Sequence, residues 1–244
     1  MSSTNNSTIV KNEIDQFAKD SAHWWDESGP FKPLHALNPV RMRYIKEQIC
    51  THFDRDAHDL KALKGLSILD VGCGGGLVCE PAARMGANVT GADADAQAIE
   101  VAKAHAKQSK LKITYKHGAA ETLKTKYDVV LALEIIEHVS DPALFVESVA
   151  QLVKQNGLVI FSTLNRTAKS YALGIVAAEY LLRWVPRGTH SWDKFVKPSE
   201  LRRHAKKGSL TPYDVTGLVF NPLKNQFSLS NNDVAVNYFM SCRN

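Results

Sequence analysis

Cysteine is scarce in this chain, and long apolar runs are missing from it. The four cysteines, at positions 50, 73, 79 and 242, form no C-x-x-C pair. That leaves neither zinc-site spacing nor a disulfide framework, and it implies a reducing compartment. No apolar run reaches the ~18 residues that span a bilayer. The opening stretch, Met1 to Thr8, is polar and uncharged, unlike a secretory signal or an Arg-rich transit peptide. A cytoplasmic protein is therefore expected, with any membrane contact made peripherally. Internal repeats are absent. Neither sign of charge is in large excess: 30 Lys and Arg stand against 25 Asp and Glu, a net +5. Such a charge suits an anionic partner without requiring one. The basic run Arg202-Arg203-His204-Ala205-Lys206-Lys207 reads as a solvated helix face rather than a nucleic-acid patch. With 44% hydrophobic and 23% charged residues over 244 positions, the composition is that of one soluble domain with additions.

What the chain does have is a glycine-rich turn. Ile68-Leu69-Asp70-Val71 reads as a buried strand running into Gly72-Cys73-Gly74-Gly75-Gly76. A second strand, Asn88-Val89-Thr90-Gly91-Ala92, ends on Asp93. An acid about 20 residues after such a turn meets ribose hydroxyls in nucleotide-binding βαβ units. Glycines let the backbone take positive φ and approach a ligand closely. The turn carries no lysine, so it is not a Walker-type phosphate loop, and its glycines are spaced unlike those of dinucleotide enzymes. A nucleoside ligand without a pyrophosphate follows, and S-adenosylmethionine fits best.

Strand and helix patterns alternate through the centre, which predicts an α/β fold on a mostly parallel sheet. The expected strands are 67–71, 88–92, 112–116, 127–133 and 157–162. Helices are expected over 77–85, 94–109 and 142–152. Residues 1–10 are expected to be a disordered tail, and residues 11–60 an N-terminal helical cap over the ligand site with no part in the sheet. In that cap one helix runs from Lys11 to about Trp25, and Asn38-Pro39 opens another. A helical insertion occupies 165–205. After the run 213–219, the stretches 226–230 and 235–240 read as a C-terminal antiparallel hairpin. Residues 11–244 then form a single domain.

Candidate site residues cluster where strand ends meet the crevice of such a sheet. Asp70 either caps the turn or faces the ammonium group of the ligand. Gly72 and Gly74 supply close backbone approach, and Asp93 supplies the ribose acceptor. Ala119, Ala120 and Glu121 can flank an adenine ring, and Leu133 can face the methionine part of the ligand. Glu134, Glu137 and His138 place two carboxylates and an imidazole within five residues. On one helical turn they share a face and suit Mg²⁺, Mn²⁺ or Zn²⁺, which would lower the pKa of substrate hydroxyls. Without a metal, His138 is a general base or a helix cap. Residues 169–187, apolar with Lys169, Arg183 and Arg187 around them, read equally as a buried helix or as an interfacial helix on an anionic membrane. His190 follows as a structural or catalytic histidine.

Asp70-Val71-Gly72-Cys73-Gly74-Gly75-Gly76 resembles motif I of class I S-adenosylmethionine-dependent methyltransferases. Further stretches are Trp24-Trp25, Phe31-Lys32-Pro33-Leu34-His35, Asn38-Pro39-Val40-Arg41, Phe161-Ser162-Thr163-Leu164-Asn165-Arg166, Gly188-Thr189-His190 and Phe195-Val196-Lys197-Pro198. They are similar to the O-methyltransferases of ubiquinone biosynthesis, from about Ile14 to Phe239. The resemblance implies a Rossmann-like class I methyltransferase fold with a seven-stranded sheet. It implies methylation of hydroxyls on polyprenylated catechol-type intermediates, at two steps of that pathway. Its cofactor site falls on Arg41, Gly72, Asp93 and Leu133. In eukaryotic relatives an acid-x-x-acid-His run binds metal, which matches Glu134, Glu137 and His138. Partners implied are a prenylated phenol or catechol, an anionic membrane surface and other ubiquinone-biosynthesis proteins. One departure is the polar, acidic start of the helix after Asp93, Ala94-Asp95-Ala96-Gln97-Ala98. Two rival readings stay open here: a methyltransferase for a small phenol or an RNA ribose, and a non-catalytic module that binds a prenylated lipid.

Overall fold

A computed structural model describes residues 7–172 and 191–244. His190 and most of the expected interfacial stretch lie outside the described residues. Eight strands form one sheet: β1 (Ser67–Val71), β2 (Asn88–Asp93), β3 (Thr114–His117), β4 (Tyr127–Leu133), β5 (Val153–Leu164), β6 (Thr211–Asn221), β7 (Gln226–Ser230) and β8 (Asn237–Arg243). The helices are α1 (Lys11–Ala18), α2 (Lys32–His52), α3 (Cys79–Arg84), α4 (Ala96–Gln108), α5 (Pro142–Gln151), a single turn α6 (Ala168–Ser170) and α7 (Pro198–Lys207).

The strand order is β3-β2-β1-β4-β5-β8-β6-β7. The first five are parallel, and β8, β6 and β7 join antiparallel. β1 and β4 are buried along nearly their whole length, as central parallel strands covered on both faces must be. Neighbouring strand residues point to opposite faces, so the core divides into two layers. Ile68, Val129, Leu131, Leu158 and Ile160 pack with residues of α2, α3 and α4. Leu69, Val71, Val130, Ala132, Val159 and Phe161 pack with residues of α5 and α7. Chain order reverses at β1, which has β2 on one side and β4 on the other. A crevice therefore opens at the carboxyl ends of these strands.

The expected α/β architecture is present, with four differences of detail. Among the described residues the sheet has eight strands rather than seven. The hairpin is β6–β7, because Gln226–Ser230 is half-exposed and suits an edge. β8 is buried from Tyr238 to Cys242 and inserts between β5 and β6. The front segment also takes part in the core. α2 begins at Lys32, where Pro33 is the first-turn proline, and it carries Pro39 inside. It packs against β7 and β5. Finally, residues 7–10 are placed, and Thr8 is buried.

Candidate active site

The glycine turn follows from where β1 stops. Gly72 takes φ +73°, and a Cβ there would lie 2.2 Å from Ile135 Cδ1, so only glycine fits. The amides of Gly72 and Cys73 both donate to Ala92 O, at 2.7 and 3.1 Å, tying the turn to β2. Asp93 completes the tie: its carboxylate accepts from Gly74 N and from Asp95 N, both at 2.8 Å. Each carboxylate oxygen keeps further acceptor capacity. Burial pushes the Asp93 carboxyl above the ordinary range, against the pull of those two amides.

A tryptophan pair covers the turn. A Cβ on Gly75 would lie 2.4 Å from Trp24 Cβ, so the Trp24 residue sits directly on the glycine backbone. Trp24 stacks on Phe31 with centroids 3.8 Å apart. Trp25 Nε1 donates to Gly75 O at 2.9 Å, and the ring stacks on His105 at 3.5 Å.

Beside the turn lies a buried charge group. The Arg41 guanidinium donates from Nε and Nη2 to Asn38 Oδ1, at 3.1 and 2.9 Å. Burial lowers its pKa, opposed by the charges of Glu134 and Asp70. Asp70 accepts from Cys79 Sγ at 3.3 Å. Burial pushes its carboxyl up to about 7, against the Cys79 bond and the Arg41 charge.

Glu134 follows β4 with φ +52°, a left-handed conformation that costs a non-glycine residue of order 1–3 kcal/mol. Its carboxylate accepts from Ser162 Oγ at 2.6 Å and from Asn237 Nδ2 at 3.0 Å. Glu137 is buried and accepts from Thr163 Oγ1 at 2.9 Å. Burial, then the charge of Glu134, raises its pKa well above the ordinary carboxylate range. His138 Nδ1 lies 3.0 Å from Glu13 Oε2.

This arrangement corrects the shared-metal expectation for Glu134, Glu137 and His138. Ser162 and Thr163, neighbours on β5, each hold one of the two glutamates, while His138 turns to Glu13 of α1. Among the described residues, no group of three His, Cys, Asp or Glu side chains is placed to hold a metal ion. The three residues as arranged do not fit Mg²⁺ or Zn²⁺.

A cavity of about 160 Å³ opens at the strand ends. Of the expected residues, Gly72, Gly74, Asp93, Ala119, Ala120, Glu134 and His138 line it. Arg41, Asp70, Leu133, Glu121 and Glu137 are not in its lining. Thr8, Ile9, Val10, Glu13, Ile14 and Trp24 also face the cavity; sequence reasoning expected a cap from residues 11–60 but did not name these residues as its roof. Thr8 N and Oγ1 both donate to Glu121 Oε1, and Ser140 N donates to Thr8 O at 3.0 Å. The expected adenine-flanking acid is therefore engaged by the N-terminal strap. The polar start of α4 was a usable signal. Asp95 caps that helix, accepting from Gln97 N, and also receives the Ser21 hydroxyl.

Comparison with known proteins agrees with this geometry. A family model described as a methyltransferase domain matches residues 42–211. The ubiquinone biosynthesis O-methyltransferase of Brucella ovis is 49% identical over 98% of this chain and 98% of its own. That of Bartonella bacilliformis is 50% identical over 96% and 95%. The chain belongs to the ubiquinone biosynthesis O-methyltransferase family. Among solved structures, the magnesium protoporphyrin IX methyltransferase of Synechocystis PCC 6803 with bound SAH superposes with a TM-score of 0.64. It covers 96% of this chain and 94% of its own at 17% identity, which supports the shared fold alone. The methyltransferase-domain match starts inside α2, so α1, the tryptophan pair and Arg41 precede it, although the family's full-length likeness includes them. In this family member, the roof of the cavity is built from the segment before the common domain.

Proposed function

We propose that this chain transfers the methyl group of S-adenosylmethionine to a phenolic hydroxyl of a polyprenylated catechol-type intermediate of ubiquinone biosynthesis. The observation that carries this reading is one cavity that joins the glycine turn and Asp93 to His138, in a chain related end to end to that family. The cofactor, when bound, supplies an electrophilic methyl group on a sulfonium. The residues present fit it. Asp93 has acceptor capacity left for ribose hydroxyls. The backbone of Gly72 and Gly74 faces the cavity without side chains. Arg41 is a buried cation that forms no ion pair among the described residues, which suits a carboxylate.

A phenol is a poor nucleophile while protonated, so the enzyme must remove that proton and align the oxygen. His138 takes the phenolic proton on Nε2. Bound S-adenosylmethionine would supply the methyl group to the freed oxygen, its methyl–sulfur bond being exchanged for the new C–O bond and S-adenosylhomocysteine being left. The imidazolium then returns its proton to solvent. The prenyl tail needs an apolar surface. Residues 169–187 are the proposed contact with an anionic membrane that holds it. Among the described residues no helix is long and apolar enough to cross a membrane.

The test is methyl transfer from labelled S-adenosylmethionine by the purified chain, offered a prenylated catechol, an unprenylated phenol and RNA in parallel. Label is expected in the prenylated product. Transfer to RNA or to the small phenol alone would overturn the substrate class.

A further inference from the structure

Trp24 and Trp25 are neighbours over the same turn, yet their indole N–H groups fare differently. Trp25 Nε1 donates to Gly75 O, and its ring is held on His105. Trp24 Nε1 is buried and has no hydrogen-bond partner. A buried tryptophan N–H usually finds an acceptor, and one without it bears the cost of desolvation unrelieved. Among the described residues, six side-chain polar atoms are in this condition, one each on Trp24, Tyr115, Glu121, Glu137, His204 and Asn237. Of these residues, Trp24 is the one that also lines the cavity. Its ring is fixed by stacking on Phe31, with planes 6° apart. Cε2, the carbon that bears Nε1, would lie 2.9 Å from a Cβ on Gly74. The amide of Gly74 is bonded to the Asp93 carboxylate. Gly74 is thus the common neighbour of the indole's donor edge and of the ribose acceptor, and both residues face the cavity.

We propose that Trp24 is a cofactor-binding residue, its Nε1–H donating to a ribose hydroxyl oxygen of S-adenosylmethionine while the proton of that hydroxyl goes to Asp93. The proposal rests on the cofactor reading given above and deepens it. A hydroxyl carries one proton and two lone pairs, so a ribose oxygen that donates to Asp93 still accepts from a donor. The amides of Gly74 and Asp95 are both engaged by Asp93 itself, whereas the Trp24 N–H is engaged by nothing. Acceptor and donor come from different parts of the chain. Asp93 belongs to the βαβ unit, and Trp24 to the segment ahead of residues 42–211, where the methyltransferase-domain match lies. Trp25 already ties that segment to the turn through Gly75 O. A bound ribose adds a second tie and gives the buried Trp24 N–H its acceptor, so the cap is held more firmly with the cofactor in place than without it.

The experiment labels the full chain with ¹⁵N at the tryptophan indoles, which gives four N–H signals, one per tryptophan. The Trp24 signal is the one missing in W24F. On titration with S-adenosylhomocysteine, which keeps the ribose, the Trp24 proton is expected to move downfield and to exchange more slowly with water. By calorimetry W24F, which keeps an aromatic ring against Phe31, should bind S-adenosylhomocysteine about threefold to tenfold more weakly, the loss of one neutral hydrogen bond. Wild type and W24F should bind alike an analogue that lacks both ribose hydroxyls. A Trp24 signal that stays in place while calorimetry shows the ligand bound overturns the proposal. So does an equal loss in W24F for S-adenosylhomocysteine and for the analogue, which would make Trp24 an apolar cover only. Where W24F does not fold, the wild-type titration decides alone, with the Trp24 signal assigned by elimination through single substitutions of the other tryptophans. No binding of S-adenosylhomocysteine to the wild type is a different failure, since it removes the cofactor reading on which the proposal rests.

Discussion

Asp93 holds the glycine turn and the start of α4 with one carboxylate, through Gly74 N and Asp95 N, while facing the cavity. Asp93→Ala removes an acceptor for ribose and loosens both ties. Losing a hydrogen bond to a charged group costs about 1.5–3 kcal/mol, or roughly 10- to 100-fold in affinity. Calorimetry with S-adenosylmethionine should show that loss; an unchanged dissociation constant in a folded variant would remove Asp93 from the site. Asp70 makes a second expectation through pH. Its folded-state pKa, about 7, stands above the ordinary 3.8 mainly because of burial. Stability linked to this group is therefore fully present below about pH 4 and lost as pH rises through about 7. The loss is on the order of 4 kcal/mol at most. Asp70→Asn should flatten that part of the pH–stability curve, raising Tm at pH 8 more than at pH 5. Equal effects at both would show that Asp70 is ionised without penalty. Asp93 and Gly72 were legible in sequence because their spacing is local to one βαβ unit. The partnership of Glu13 with His138 was not, because nothing in either neighbourhood names a partner 125 residues away.

Among elements, the parallel strands were the most readable and the N-terminal ones the least. β1 and β4 have the expected ends, since a buried run bounded by polar residues leaves little choice of register; β7, a half-exposed edge strand, has them as well. The hairpin was misassigned because two adjacent β-rich runs suggest each other as partners. Burial decided otherwise: β8 is buried from Tyr238 to Cys242 and took the interior position, while β7 took the edge. Residues 7–10 were assigned to a disordered tail together with the polar stretch Met1–Thr8, yet Thr8 is fixed by bonds to Glu121 and Ser140. The tryptophan segment offers a direct test of how closely this cap sits. Gly75→Ala places a Cβ where Trp24 now lies, 2.4 Å from its Cβ. No side chain can make that approach, and a tryptophan on backbone cannot yield by a rotamer change alone. The cap should lift, with red-shifted tryptophan emission and weaker cofactor binding. Emission identical to that of the wild type would mean that the segment is not seated on the turn.

At the scale of the whole molecule, the two ends of the chain meet in one core. β8, the last strand, lies between β5 and β6, so it joins the parallel half of the sheet to the antiparallel half. α2, from the front of the chain, is anchored on it. Tyr44 stacks on Phe239 with centroids 4.4 Å apart. Its hydroxyl bonds Asp214 Oδ2 at 2.6 Å and Ser241 Oγ at 2.8 Å. Burial, reinforced by Asp214, raises the Tyr44 pKa far above its usual value, so the phenol stays protonated and donates to the carboxylate. The helix that leads into the cofactor roof and the strand that closes the sheet are therefore stabilised together. Tyr44→Phe keeps the ring contact and removes only the hydroxyl. It leaves Asp214 and Ser241 short of a buried partner, a loss of about 1–3 kcal/mol, softened because Thr216 Oγ1 also bonds Asp214 at 3.0 Å. If the molecule unfolds as a unit, urea denaturation of this variant should remain a single transition with an unchanged slope and a lower midpoint. Fluorescence of the four tryptophans, two of which sit in the cap, and circular dichroism of the backbone should give the same midpoint. A split into two transitions would show that the front segment and the sheet are separately stable, and a midpoint equal to the wild type would show that the hydroxyl network contributes nothing to holding the ends together.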